Sequence, residues 1–111
     1  MDCWATWCGP CVAEMPNSKQ LMDQYKGKQL AFVFICLDSN EQNLKSIISK
    51  HSIGGQHFLL TKNQSNDFRK AFGINGVPHY ILFDKKGNIS ENGTEPPLFI
   101  KEKIDKLLSE K

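Results

Sequence analysis

This chain lacks any block of like charge, any long apolar span and any internal repeat. Fourteen Lys and Arg stand against twelve Asp and Glu, a net charge of +2. No basic run gathers into an arm for nucleic acid or lipid headgroups. The late lysines Lys101, Lys103, Lys106 and Lys111 alternate with Glu102, Asp105 and Glu110, the pattern of a solvated helix face. No segment reaches the roughly 20 apolar residues that span a bilayer. No secretory leader opens the chain. Cys8 follows only seven residues, so a leader would have to lie upstream, and its absence says little about compartment.

Cysteine is scarce: Cys3, Cys8, Cys11 and Cys36. A disulfide-stapled framework spreads its pairs along the chain. Here one pair is close and two residues are isolated. Cys36 lies in the apolar run Leu30–Leu37 and reads as a small core residue. Cys3 has a similar setting, but its exposure is open because it sits near the first residue. Zinc and iron–sulfur centres also use C-x-x-C, and they need further ligands. Cys3 and Cys36 are poorly spaced for that, and His51, His57 and His79 form no ligand pair. No metal and no organic cofactor is expected.

What is present is ordinary globular material. At 111 residues, 40% hydrophobic and 23% charged, the chain suits one domain over residues 1–111. Met1–Trp4 reads as the end of a strand, and Ala5–Pro10 as a turn into a helix. Cys11–Tyr25 reads as that helix, with a kink at Pro16 and Gly27 as terminator. Leu30–Leu37, apolar throughout, is a buried strand. Glu41–His51 is a helix capped by Ser39 or Asn40. His57–Leu60 is strand or loop. Gln64–Phe72 is a helix with Phe68, Ala71 and Phe72 inward. Tyr80–Phe83 and Asn88–Glu91 form a hairpin, and Leu98–Leu108 is the last helix. The alternation predicts an α/β fold, a small mixed sheet with helices on both sides.

Cys8-Gly9-Pro10-Cys11 is the chemical motif. Residues three apart at a helix start share one side, so the pair can close a disulfide. Cys8 should sit where unpaired N–H groups and the helix dipole favour a thiolate, which makes it the nucleophile. Cys11, one turn deeper, would resolve the mixed disulfide. Pro10 suits the first turn. Pro78 alone reads equally as a turn or edge proline or as a site residue.

The stretch CWATWCGPC, residues 3–11, resembles thioredoxins and, more closely, the extracytoplasmic thioredoxin-like proteins related to TlpA and ResA. The resemblance takes in Trp4, Trp7, Cys8, Gly9, Pro10, Cys11, Glu14 and Pro16. It resumes at Gly76-Val77-Pro78 and at Tyr80–Asp84 with Gly87. It implies a thioredoxin-like fold and a cis-proline at Pro78, which would bare the Val77 backbone beside Cys8 for an incoming peptide strand. It also implies that Glu14 tunes the thiols, against the plain reading of an exposed carboxylate. Asp2 matches a buried aspartate beneath the dithiol, unless its place near the start leaves it exposed. Trp7 matches a surface tryptophan beside the nucleophile, and Trp4 reads as core. Many relatives carry Thr where this chain has His79. That residue is either an ordinary strand position or one that adjusts charge or partner contacts.

The resemblance further implies either that residues are missing upstream or that the fold is completed in another manner, such as by a second copy. The family domain begins with an added strand or hairpin and a full central strand, of which Met1–Trp4 supplies only the end. Unpaired neighbours would then be expected in the sheet. The activity implied is thiol-disulfide exchange, with disulfide-containing protein substrates and an upstream thiol reductant, a membrane-bound one included. The compartment implied is the periplasm or the outer face of a membrane, with the cytoplasm open. Two other readings stand beside it. A thiol peroxidase would need a Thr or Arg beside the nucleophile, and Thr6 is near. A redox-inactive binding domain would hold inert cysteines.

Overall fold

A computed structural model describes residues 1–110; Lys111, grouped above with the solvated terminal face, lies outside the described residues. The apolar run around Phe34 forms β2 (Val33–Cys36), shorter than Leu30–Leu37. Leu30 and Phe32 lie before the strand, packed against the cluster that holds Leu21 and Ile104, and the Phe32 carbonyl still accepts the Gln56 N–H at 3.0 Å. β2 has parallel neighbours on both edges, β1 (Asp2–Trp4) and β3 (Gln56–Leu59). A parallel strand covered on both faces reads as unbroken hydrophobicity, as this one does. The segment left between strand and loop at His57 is therefore a strand. On its other edge β1 pairs antiparallel with β4 (His79–Phe83), which pairs with β5 (Ile89–Gly93). The order is β3-β2-β1-β4-β5, a mixed sheet.

β1 is short, yet it lies in the middle. Asp2, Cys3 and Trp4 face Phe34, Ile35 and Cys36 on one side, and Asp2 and Cys3 face Tyr80 and His79 on the other. The Met1 amine donates to the Ile81 carbonyl at 2.6 Å, and the Ile81 N–H donates to the Met1 carbonyl at 2.8 Å. The expected loss of ladder partners falls beyond Met1. β1 registers with three of the four residues of β2 but two of the five of β4, and a cavity of about 340 Å³ lined by Met1, Val33, Leu82 and Phe83 lies there.

Successive strand residues face opposite sides, which sorts the core. Trp4, Phe34 and Cys36 meet the helices on one face, including Met15 and Leu44. Cys3, Ile35, Leu37 and Ile81 meet Phe68 and Phe72 on the other. The expected helix Cys11–Tyr25 is two helices, α1 (Gly9–Ala13) and α2 (Met15–Gln24). The break falls at Glu14, ahead of Pro16, because a proline ring disturbs the turn before it. α3 (Glu41–His51) matches its expectation, and Asn40 accepts the Asn43 N–H at 2.8 Å. α4 (Lys62–Phe72) starts two residues early, since Thr61 and Gln64 make a capping box. Ala71 is exposed there, and Ser65 takes the buried place. The last helix is a 3₁₀ turn (Pro97–Ile100) followed by α5 (Lys101–Ser109), seated on Leu21, Tyr25 and Leu82.

Gly55 shows how tightly the lead into β3 is built. Its φ is +84°, and an added Cβ would lie 2.9 Å from the Phe32 carbonyl oxygen. Gly55→Ala therefore combines left-handed strain with a backbone clash. It should lower the unfolding free energy by more than about 1 kcal/mol, read as a lower urea midpoint with an unchanged slope.

Candidate active site

β1 ends at Trp4, and the chain turns at once. The Cys8 N–H donates to the Ala5 carbonyl at 3.1 Å, closing the turn. Cys8 is then the N-cap of α1, its Sγ accepting the Cys11 N–H at 3.2 Å. Pro10 lies in the first turn, where the missing N–H costs nothing. Cys8 and Cys11 are joined as a disulfide, with Cα atoms 5.2 Å apart. Both sulfurs are buried under an exposed Gly9 and Pro10.

Trp7 stands beside them, 66% exposed. It is held from behind. The indole N–H donates to the Asp38 carbonyl at 3.0 Å. Asp38 has φ +49°, and it is fixed by a salt bridge to Arg69 and by its own N–H donating to Ser65 Oγ at 3.4 Å. Next along, the Thr6 N–H donates to Ser39 Oγ at 3.0 Å, and that hydroxyl donates to the Leu37 carbonyl at 2.9 Å. In the sequence Ser39 stands only as a candidate helix cap, and Asp38 follows the apolar run with no assigned part. Their support of the Cys8 turn is a functional part the sequence reading missed, and the D-S pair directly after an apolar strand was the available signal. A groove of about 550 Å³ opens here, walled by Thr6, Trp7, Ser39, Asn43 and Lys62.

From the other side comes the loop before β4. The Val77–Pro78 bond is cis, and the Val77 carbonyl oxygen lies 3.7 Å from Cys8 Sγ. Asp2 opposes Tyr80 across β1 and β4. As a residue Asp2 is half-buried, but its Oδ1 is sealed from solvent with no hydrogen-bond partner among the described residues. Burial pushes its carboxyl up to about 7, with the Glu14 charge adding to the rise and the Met1 amine opposing it. Glu14 is half-buried between α1 and α2, and Asn17 Nδ2 donates to both its oxygens at 3.4 and 3.5 Å. Burial raises the Tyr80 phenol, and the charges of Asp2 and Glu14 raise it further. Asp2, Glu14 and Tyr80 thus form one electrostatic group.

His79, counted above among residues that could touch a partner, is only 7% exposed. Its ring Nε2 is bonded to Asn92 Oδ1 inside the fold. The reason is strand alternation, which turns His79 to the face of Cys3 and Ile81, away from α1. Cys3 is wholly buried, and desolvation pushes its thiol up to about 12, with Asp2 adding to the rise. Burial also raises Cys36. Both thiols are protonated at neutral pH and poor nucleophiles. Among the described residues, no three His, Cys, Asp or Glu side chains are gathered that could hold a metal ion.

The profile of a family described as thioredoxin-like matches residues 1–89. The chain belongs to the thioredoxin-like family. The thiol-disulfide oxidoreductase ResA of Bacillus thuringiensis subsp. konkukian is 26% identical over 89 residues, 80% of this chain and 50% of its own length. The chain thus spans about half the length of the curated relatives it matches. A Bacteroides vulgatus protein solved in solution and assigned as a thiol-disulfide oxidoreductase superposes with a TM-score of 0.80 at 37% identity, covering 96% of this chain and 70% of that one. The thioredoxin domain of a second Bacteroides vulgatus protein superposes with a TM-score of 0.86 at 24% identity over 97% of this chain and 76% of its own, a likeness of fold.

The raised Asp2 carboxyl makes stability depend on pH. The folded chain keeps a proton that the unfolded chain, with its carboxyl near 3.8, gives up. Stability is therefore highest below about pH 4 as far as this group goes, falls as pH rises toward 7, and carries the full cost above that. Asp2→Asn should flatten this slope. Above pH 7 it should be more stable than the parent by on the order of a few kcal/mol, measured by urea unfolding across the range.

Proposed function

We propose that this domain exchanges thiols with disulfides in polypeptide substrates through Cys8 and Cys11. The carrying observation is the juxtaposition at Cys8: a helix-capping sulfur beneath an exposed Gly-Pro, beside the exposed Trp7, with a backbone carbonyl 3.7 Å away. The reduced Cys8 thiolate attacks one sulfur of a substrate disulfide. A Cys8–substrate disulfide forms and one substrate thiolate leaves. Cys11 then attacks Cys8 Sγ, closing the Cys8–Cys11 bond and releasing the second thiolate. Two electrons have passed to the substrate, and an external thiol reductant returns the pair to the dithiol.

The other site residues take supporting parts. Gly9, Pro10 and Trp7 form the rim a client meets. Val77 offers its backbone edge, positioned by Pro78, for strand pairing with the client. Asp2, with a carboxyl near 7, and Glu14 handle the proton that Cys11 must lose before it attacks. The resemblance to the TlpA- and ResA-like proteins implies the reducing direction outside the cytoplasm, with apocytochrome c and oxidised envelope proteins as the client class. Among the described residues no helix is long and apolar enough to cross a membrane. The peroxidase reading is less well supported. Thr6 is near the nucleophile, but the Cys8–Cys11 resolving pair fits disulfide exchange better, and Arg69, the only arginine in the chain, is engaged by Asp38.

Redox titration of the dithiol against glutathione or dithiothreitol is the test. The potential should fall near that of thioredoxin, about −270 mV. A value near −120 mV would sink the reductase reading. Cys8→Ser should abolish insulin reduction, and Cys11→Ser should accumulate mixed disulfides with clients. An inert Cys8 with no insulin reduction would favour the binding-domain reading.

A further inference from the structure

The loop between α4 and β4 carries Val77, whose carbonyl faces Cys8. Its two flanking residues are Phe72, the last of α4, and His79, the first of β4. A single side chain joins them. Asn92 Nδ2 donates to the Phe72 carbonyl at 3.0 Å, and Asn92 Oδ1 is bonded to His79 Nε2. The direction of both bonds follows from chemistry. A backbone carbonyl only accepts, so the amide NH₂ must face Phe72 and the amide oxygen must face His79. That oxygen only accepts, so Nε2 carries a proton. Asn92 opposes Ile81 across the β4–β5 ladder, and His79 lies two residues before Ile81. Diagonal neighbours on one sheet face are within reach of a long side chain.

We infer that Asn92 and His79 form a clamp that closes the base of the 73–78 loop and so holds the Val77 backbone edge in register with Cys8. His79 is a positioning residue in this arrangement and touches neither sulfur nor client. The clamp uses one of the carbonyls that a helix C-terminus leaves without an intrahelical partner. It ties that carbonyl to the two strands that carry the loop's exit. Gly73 caps α4 with φ +67°, and the Ile74 N–H donates to the Arg69 carbonyl at 2.9 Å. Residues 75–78 then run from that cap to β4, and the clamp is their second tether. Its consequence for clients rests on the thiol-exchange reading above. A protein disulfide arrives on an extended strand that must pair with Val77, whereas a small aromatic disulfide has no strand to pair. The clamp should therefore govern the first and leave the second alone.

Asn92→Leu removes both bonds from an exposed position on the edge strand β5, where the fold should survive. Amide hydrogen exchange over residues 73–78 should quicken by about tenfold. KM for insulin should rise roughly threefold to tenfold, with turnover of dithiobis(nitrobenzoate) unchanged. His79→Leu should show the same quickened exchange and the same rise in KM for insulin. His79→Gln, which keeps a donor near Nε2, should stay close to the parent in both. Unchanged exchange in Asn92→Leu overturns the clamp without reference to any activity. Equal losses with insulin and with the small disulfide would reduce it to a matter of stability and overturn the positioning role. A parent protein that reduces neither substrate would instead refute the thiol-exchange reading, while the exchange measurement still decides the clamp.

Discussion

Everything at the dithiol depends on β1 being paired on both edges. Three residues span the centre of the sheet, bonded in register to β2 on one side and β4 on the other. Trp4 and Ala5 are fully buried, so the chain leaves the sheet from its most fixed point. The turn that follows has only two residues, Thr6 and Trp7, between the Ala5 carbonyl and the Cys8 N–H that bonds to it. Cys8 inherits its position from that strand, with little loop in between to blur it. Sites built on rigid elements hold their geometry better than sites on loops, and this one stands a few residues from the central ladder.

Two other segments reach the same spot because of where their strands lie in the order. β2 and β4 are the neighbours of β1, so the residues just after β2 and just before β4 flank the residues just after β1. Asp38 and Ser39 follow β2 and brace Trp7 and Thr6. Val77 and Pro78 precede β4, which is antiparallel to β1, and so arrive from the opposite side. The same sheet separates the cysteines by reactivity. Cys3 and Cys36 lie within paired strands, where burial raises their thiols. Cys8 and Cys11 lie past the end of a strand, where Cys8 Sγ accepts the backbone N–H of Cys11.

Much of this was legible from the residues, and the parts that were not share a cause. Local signals carried far. The C-G-P-C spacing placed the disulfide, the apolar run placed β2, and a cap at Ser39 or Asn40 placed the start of α3. The helix break was read at Pro16 and falls at Glu14, because proline acts on the turn before it. Thr61 and Gln64 already spelled a capping box, so the earlier start of α4 was readable from chemistry that periodicity overlooked. Asn92 was out of reach. Its importance comes from a diagonal across β4 and β5 and from the end of a helix some twenty residues earlier, and no local pattern encodes that. His79 was noticed only as a departure from relatives. Its sheet face, fixed by the register with Cys3, decides that it works inside the fold.

Asp2 carries a cost that bears on what the site is for. A carboxyl with a sealed, unpartnered oxygen destabilises the fold whenever it is ionised. An apolar residue of similar size at this point in β1 would avoid that cost, since Trp4 and Cys3 beside it are wholly buried. The neighbours deepen the cost, because Glu14 adds a like charge and Tyr80 gives Asp2 no hydrogen bond among the described residues. Groups whose surroundings oppose ionisation near neutral pH are concentrated where protons must be moved. A carboxyl near 7 takes up and gives up its proton near neutral pH, which an ordinary carboxylate near 4 does not. On the thiol-exchange proposal, the stability given up at Asp2 is intelligible as the cost of placing a group that titrates near neutral pH in the sheet that supports Cys8 and Cys11.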